Sequence, residues 1–398
     1  MNPLRLLNRH EWALLLAIAV VVVLTTCLDE QHNYWRHPEL SITDILRHTA
    51  LLGIFSLGAA IVIIAGGIDL SSGSVIAFSG TICATLLVLL APDQMHDAEP
   101  VGLGVISLAI AGTLLVGFLI GSLHAWLITV INLPPFVATL ATLVGLRSLG
   151  RAIVENITFV TWGSKSTQIQ IYDSQFRGLA TNVAIPVAIF LALSAVAWLI
   201  LSRTVTGRHL YALGGNEQAA RLSGIRTDRL KWFAYVAGAM LSSIAGILYI
   251  GDQSVADPQT LGRGYELNAI AAAVVGGCSL QGGAGTVPGT VLGALFLRIV
   301  IDGVAKIIKT GADVYEGLIV GIVVVIAVAL TQTRVAGGGG RKFFTGPLGV
   351  VAIINLTLLA GGLTALASQT SGGGSGIGWG VGLGVLVLLT ATRWFPRK

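Results

Sequence analysis

Asp69 sits in the stretch AGGIDLSSGS, residues 65–74, between two apolar runs that are each long enough to enter a bilayer. A carboxylate at membrane depth marks a functional site by default. Around it, Gly66, Gly67, Ser71 and Ser72 interrupt any helix that arrives. Broken backbone at that depth is tolerated only beside protein or water, so the stretch lines a cavity or an interface. Two roles stand open for Asp69. With Ser71 it can cap the helix that begins near Ser74, or it can face a polar path for a solute.

Covalent chemistry has no such candidate. The chain contains no G-x-x-x-x-G-K-[ST], no Gly-Lys dipeptide, no G-x-G-x-x-G, no H-E-x-x-H and no G-x-S-x-G. No catalytic residue, bound cofactor or metal is therefore expected in this chain. Cys27, Cys83 and Cys278 are scattered through apolar runs without C-x-x-C spacing, which points to buried small side chains rather than to disulfides or zinc.

The elements that must position Asp69 are membrane helices. Of 398 residues, 54% are hydrophobic and only 11% charged, with 51 glycines, which excludes an ordinary soluble enzyme. The net charge of +5 comes from a few basic loops, and no nucleic-acid-binding pattern is present. Spans of about 20 apolar residues are expected near 11–28, 49–66, 73–91, 103–131, 135–153, 182–201, 232–251, 266–301 and 315–332. The run 266–301 is broken by GGCSLQGGAGTVPG, residues 276–289, and divides into a segment ending near Val275 and one from about Pro288. The expectation is an all-α polytopic membrane protein of about ten helices, some broken, over residues 1–333. Residues 334–398 form an extension with two further apolar segments, 347–368 and 376–392.

Arg5 and Arg9 precede the first span, which lacks a small-x-small cleavage site and reads as an uncleaved helix with its N-terminus inside. Alternation then puts residues 202–232 in the cytoplasm, together with Arg334, Arg341 and Lys342. The opposite loops carry Asp29, Glu30, Asp93, Asp97, Glu99, Asp173, Asp252 and Asp257, so the charge bias agrees.

Two patterns add function. GGIDLSSG (66–73) and GGCSLQGG (276–283) share a GG-x-x-L-x-x-G frame, and paired glycine interruptions in the two halves of a transporter point to the substrate path. On that reading the path is flanked by Gly66, Gly67, Asp69, Ser71 and Ser72 and by Gly276, Gly277 and Ser279. In LGGNEQAARLSGIRTDRLK (213–231), Asn216 can cap a short helix, Glu217 falls in its first turn, and Ala219, Ala220 and Leu222 give it an apolar face before Gly224. A short capped helix standing out from a membrane domain suits a groove on a soluble partner. The alternative is a plain connector, at a length well above the usual 2–8 residues.

Four blocks in order, GGIDLSSGS, LPPFVATLATLVGLRSLGR (133–151), GRHLYALGGNEQAARLSGI (207–225) and GRGYELNAIAAAVVGGCSLQGGAGTVPGTVLGAL (262–295), resemble the permease subunits of monosaccharide ABC importers of the ribose, xylose and galactose type. The resemblance implies an inner-membrane subunit working with an ABC ATPase, often a tandem one, which holds ATP and Mg. It also implies a periplasmic or lipoprotein sugar-binding protein and a second permease copy or paralogue. The family's coupling helix maps onto Glu217, Ala219, Ala220, Arg221 and Gly224, with Gly215 and Asn216 leading into it. Asn268 and Cys278 depart from the family's usual Asp and Thr, and the tail past about 333 exceeds its core. Two alternatives carry different predictions: an ion-coupled secondary transporter, for which Asp69 is the candidate acid, and an ABC permease for branched-chain amino acids.

Other polar residues within the apolar runs call for packing explanations. Arg147, Arg151 and Glu155 share one helix face, and Arg298 and Asp302 repeat the i, i+4 spacing; both sets read as interfacial anchors. His124 reads as a polar contact between helices. Glu266 either caps the helix it begins or faces the outer vestibule.

Overall fold

A computed structural model describes residues 8–29, 31–307 and 346–370, with isolated positions between 317 and 325 and between 380 and 390. Helices follow one another as α1 Arg9–Leu28, α2 Asn33–Arg36, α3 Pro38–Ile64, α4 Ser72–Leu90, α5 Pro92–Asp97, α6 Leu103–Thr129 and α7 Pro135–Trp162. After these come β1 Ile169–Gln170, α8 Ser174–Thr181, α9 Ala184–Arg203, α10 Val205–Gly215, α11 Glu217–Leu222, α12 Thr227–Gln253, β2 Val255–Ala256, α13 Tyr265–Val275 and α14 Val287–Ile307. Contacts divide the chain into two compact units, residues 1–307 with 313–328 and residues 308–312 with 329–398. In the second unit α15, Gly346–Thr370, is a 25-residue apolar helix over the expected segment 347–368. The expected segments 315–332 and 376–392 fall mostly outside the described residues, as do Arg334, Arg341 and Lys342.

Among the described residues, seven helices are long and apolar enough to cross a membrane: α1, α3, α4, α6, α7, α9 and α12. Of the other expected spans, 315–332 lies mostly outside the described residues. α13 has 11 residues, about half a crossing, and α14, with 21, carries Arg298, Asp302 and Lys306. The division of 266–301 falls where the glycines and Pro288 require it, with α13 ending at Val275 and α14 starting at Val287.

Burial sorts the spans into centre and periphery. The most apolar window of α3 is 89% buried and those of α4 and α12 are 78% buried, against 17–28% for α1, α6, α7 and α9. Every residue from Thr49 to Ile64 is buried. Lipid tails are as apolar as leucine, so burying apolar side chains does little to hold such helices together, and close packing must do it. Glycines supply that closeness around α12. A methyl on Gly58 of α3 would lie 3.0 Å from the Gly238 Cα of α12, and one on Gly80 of α4 would lie 3.0 Å from the Gly246 carbonyl oxygen. On α6, Gly117 and Gly121 form a G-x-x-x-G pair against α12, where a methyl on Gly121 would lie 2.5 Å from the Val236 Cα.

Polar side chains fasten the rest. Strand β1 pairs antiparallel with β2, Ile169 opposite Ala256, which joins the loop after α7 to the loop after α12. Asp173 caps α8 at the Phe176 amide (2.6 Å) and also accepts from the Val101 amide (2.8 Å). Arg147 finds its partners far along the chain. Midway along α7, its guanidinium donates to the carbonyls of Pro258, Gln259, Leu261 and Gly262 at 2.9–3.3 Å, holding the loop that leads into α13. Arg151 and Glu155, one turn apart on that face, form an ion pair at 2.6 Å. Asp302 accepts from Tyr34 Oη (2.8 Å) and pairs with Lys306 (3.1 Å), tying α14 to α2. His124 Nε2 lies 2.7 Å from Thr142 Oγ1, the interhelical contact expected of it, between α6 and α7.

The α6–α12 contact yields a test. Gly121→Val forces the two backbones apart and should destabilise the protein by about 1–3 kcal/mol. The expected outcome is a lower unfolding midpoint in detergent, whereas Gly104→Val, at a position with open space around it, leaves the midpoint unchanged.

Candidate functional site

Ile64 ends α3, and Gly66 follows with φ +82°, a left-handed conformation that glycine adopts without strain. The chain then runs as a short irregular segment to Ser71 before α4 starts at Ser72, two residues ahead of the expected start. Asp69 is buried, and its Oδ1 accepts from the Ser71 amide (2.8 Å) and the Ser71 hydroxyl (2.5 Å). The carboxylate therefore closes an Asx turn onto Ser71, while Ser71, at the N-cap position, makes no side-chain cap of its own. Thr139 Oγ1 of α7 accepts from the Leu70 amide (3.1 Å), and the Ser74 hydroxyl donates to the Ser71 carbonyl (2.8 Å). Ser72 Oγ is buried with no hydrogen-bond partner among the described residues. Glu266, in the first turn of α13, places its carboxylate against Gly73.

The second break is a compact turn. The Ser279 amide donates to the Ala284 carbonyl (3.0 Å) and the Gly282 amide to the Ser279 carbonyl (2.8 Å). Gly276 packs backbone to backbone against Gly289, which lets α13 and α14 fold into a hairpin. Gly277, with φ +97°, faces the His10 ring, and His10 Nε2 lies 2.9 Å from the Val275 carbonyl oxygen. Glu11 bonds the Asn8 amide (2.6 Å) and the Thr286 hydroxyl (2.8 Å), so the start of α1 is fastened to this turn.

The two breaks meet, and the end of α10 lies between them. The Gly283 amide donates to the Ile64 carbonyl at 3.0 Å. A methyl on Gly282 would lie 2.6 Å from the Gly214 carbonyl oxygen and 2.8 Å from the Gly66 Cα; one on Gly283 would lie 2.8 Å from the Gly215 Cα. Tyr211 of α10 donates to the Gly285 carbonyl (2.9 Å). Beside this junction is a cleft of about 500 Å³, whose lining includes Gly66, Gly67, Asn132, Gly215, Glu217, Lys231 and Tyr235. Tyr235, buried at its inner wall, stacks edge-on against His124 with centroids 6.3 Å apart.

From Gly215 the chain passes directly into α11. Asn216 caps it, Oδ1 accepting from the Ala219 amide at 2.9 Å, a contact worth about 1 kcal/mol. Glu217 pairs with Arg221 (3.2 Å) one turn on and with Lys231 of α12 (2.6 Å). These pairs are partly exposed, so each contributes roughly 0.2–1 kcal/mol and fixes orientation more than stability. Gly224, φ +81°, ends the element. Ala220 is buried, while Leu222 is 90% exposed at the tip.

The structure thus gathers Gly66, Gly67, Gly215, Asn216 and Glu217 in one place, with Ala219, Ala220 and Arg221 leading away from it. Gly276 and Gly277 lie on the far side of their turn, against α14 and α1. The residues of the second break that meet the first are Gly282 and Gly283, and with Gly214 they are the ones sequence reasoning missed. The doubled glycines of LGG and QGG were their signal.

Residues 41–328 match the family described as branched-chain amino acid transport system / permease component. A ribose import permease protein of Haemophilus influenzae is 36% identical over 290 residues, covering 73% of this chain and 82% of that protein. Its counterpart in Escherichia coli is 34% identical over 325 residues, 81% of this chain and 92% of the relative. A fructose import permease protein of Bifidobacterium longum is 30% identical over 331 residues, 81% and 92% of the two chains. No solved structure matches the chain. With its helices, its paired breaks and these relatives, the chain belongs to the permease-component family of the branched-chain amino acid transport system, alongside the ribose import permeases.

Proposed function

We propose that this chain is the membrane path of an ABC importer for a monosaccharide, which an extracytoplasmic binding protein delivers and a separate ATPase drives across. Residues 1–333 carry the path, residues 334–398 are an accessory extension, and a second permease copy completes the transporter. The N-terminus and residues 202–232 face the cytoplasm, in keeping with Arg203, Arg208, Arg221, Arg226, Arg229 and Lys231 in that loop. One observation carries the reading: Gly214 and Gly215, at the root of α11, touch both helix breaks. A push on α11 therefore reaches Gly66 and Gly282 through backbone contact, with no flexible side chain in between. Alternating access then amounts to rocking the two breaks against each other around the solute.

The family's description carries branched-chain amino acids, whereas the relatives' names carry ribose and fructose. The sugar reading follows the relatives, whose similarity runs over most of both chains. Reconstitution with a partner ATPase and binding protein of the same importer type should give ATP-dependent uptake of labelled ribose or fructose, and none of leucine. Uphill uptake by the purified chain alone, driven by a proton or sodium gradient, would overturn this assignment.

Two substitutions separate docking from transmission. Leu222→Asp alters a side chain that touches little of its own protein, so membrane levels should hold while ATPase co-purification falls at least about tenfold. Gly282→Ala puts a methyl between Gly66 and Gly214 in a left-handed backbone, at a cost of about 1–3 kcal/mol. Here the ATPase should still bind and hydrolyse ATP while uptake is lost. Normal uptake in the alanine variant would show that the glycine junction carries no force.

A further inference from the structure

A second cleft, of about 740 Å³, lies between α10 and the first turns of α12 and shares no lining residue with the cleft beside the glycine junction. His209, Ser223, Arg226 and Arg229 line its polar part and Trp232 and Phe233 its apolar part, and among the described residues no carboxylate lines it. Among the described residues neither Arg226 nor Arg229 has an ion-pair partner. The nearby acids are spoken for, since Glu217 pairs with Arg221 and Lys231, and Asp228 lies 3.8 Å from Arg221.

The apolar end has its own direction. Trp232 stacks edge-on against Phe118 of α6, centroids 5.7 Å apart, and its indole donates to Ser122 Oγ at 3.2 Å. Phe118, Leu119 and Leu123 continue outward from there as exposed apolar surface. The cleft is thus cationic where α12 emerges from its loop and apolar where it runs onto the outer face of a spanning helix. An indole at that boundary is the usual anchor of a membrane–water interface, and unpaired guanidinium forks match phosphate oxygens.

We propose that this cleft binds an anionic phospholipid, with Arg226 and Arg229 donating to the headgroup phosphate, His209 and Ser223 to its hydroxyls, and the acyl chains lying along Trp232 and Phe118. A free phosphate would have no use for the apolar wall. Because Arg226 sits in the connection after α11 and Arg229 in the first turn of α12, the lipid braces the segment that joins the two helices. Lipid retention is read without transport, so this proposal stands or falls apart from the importer assignment.

The test uses the full-length protein in mild detergent, offered equal phosphatidylglycerol and phosphatidylcholine, with bound lipid counted by native mass spectrometry. Phosphatidylglycerol should be retained preferentially, and R226Q/R229Q should lower that preference about 30-fold, from two basic residues acting near a membrane surface. W232A should weaken retention of phosphatidylglycerol, and excess inorganic phosphate should leave the lipid in place. Three results would overturn the proposal: an unchanged preference in R226Q/R229Q; displacement of the lipid by inorganic phosphate, which marks a free-anion site; or loss of the ATPase with lipid retention intact, which marks a protein contact. Should the double variant fail to insert, a photoactivatable phosphatidylglycerol on the wild-type protein must cross-link within residues 206–233, and cross-links confined to other segments refute the site.

Discussion

Backbone touching backbone at glycine is the contact on which this molecule depends. In water a helical core gains from removing apolar surface, but in lipid that gain largely vanishes and van der Waals fit takes its place. Fit is best where no side chain intervenes. Gly58 against Gly238, Gly80 against Gly246 and Gly121 against Val236 draw α3, α4 and α6 onto α12. Gly276 against Gly289 does the same for the α13–α14 hairpin. The many glycines of this chain are therefore joints of the bundle, and their clustering on α12 explains why that helix is central despite the hydroxyls and tyrosines along it.

The same contact, placed at the ends of helices rather than along them, becomes a linkage. Gly214 and Gly215 lie against Gly66, Gly282 and Gly283, and the Gly283 amide is hydrogen-bonded to the last carbonyl of α3. Side chains there would yield by changing rotamer and absorb a displacement. Bare backbone has no such slack, so on the proposed mechanism movement of α11 becomes movement of both breaks. The surrounding ties favour motion of whole units. Glu217 and Lys231 lock α11 to α12, Glu11 and Thr286 lock α1 to the second break, and Arg147 locks α7 to the loop before α13.

How much of this could be read from the sequence follows from what each signal measures. Hydropathy reports length and composition, and it located α1, α3, α4, α6, α7, α9 and α12 because each is a continuous apolar run. The capped α11 was legible from Asn216, Glu217 and Gly224, since capping is a local contest between side chain and backbone. The partners of long polar side chains were not legible. Arg147 read as an anchor because the spacing to Arg151 and Glu155 is local, whereas the carbonyls it binds lie more than a hundred residues away. The echo of the two GG frames pointed to both breaks. It could not say that Gly282 and Gly283, rather than Gly276 and Gly277, form the meeting point, because only tertiary contact distinguishes the two glycine pairs of one turn.

Asp69 draws these threads together. An ion-coupled carrier needs a carboxylate that can exchange its ligands as the cation enters and leaves. Here one carboxylate oxygen is committed to both the amide and the hydroxyl of Ser71, and the neighbouring amide of Leu70 is committed to Thr139. Releasing Asp69 would leave the Ser71 amide buried and unpaired, at a cost of about 1–3 kcal/mol. The carboxylate is thus better suited to holding the first break in shape than to shuttling charge. On the proposed function, a neutral, hydroxyl-rich solute asks only for a shaped path of that kind, and an ATPase partner would remove any need for the path to bind a coupling ion of its own.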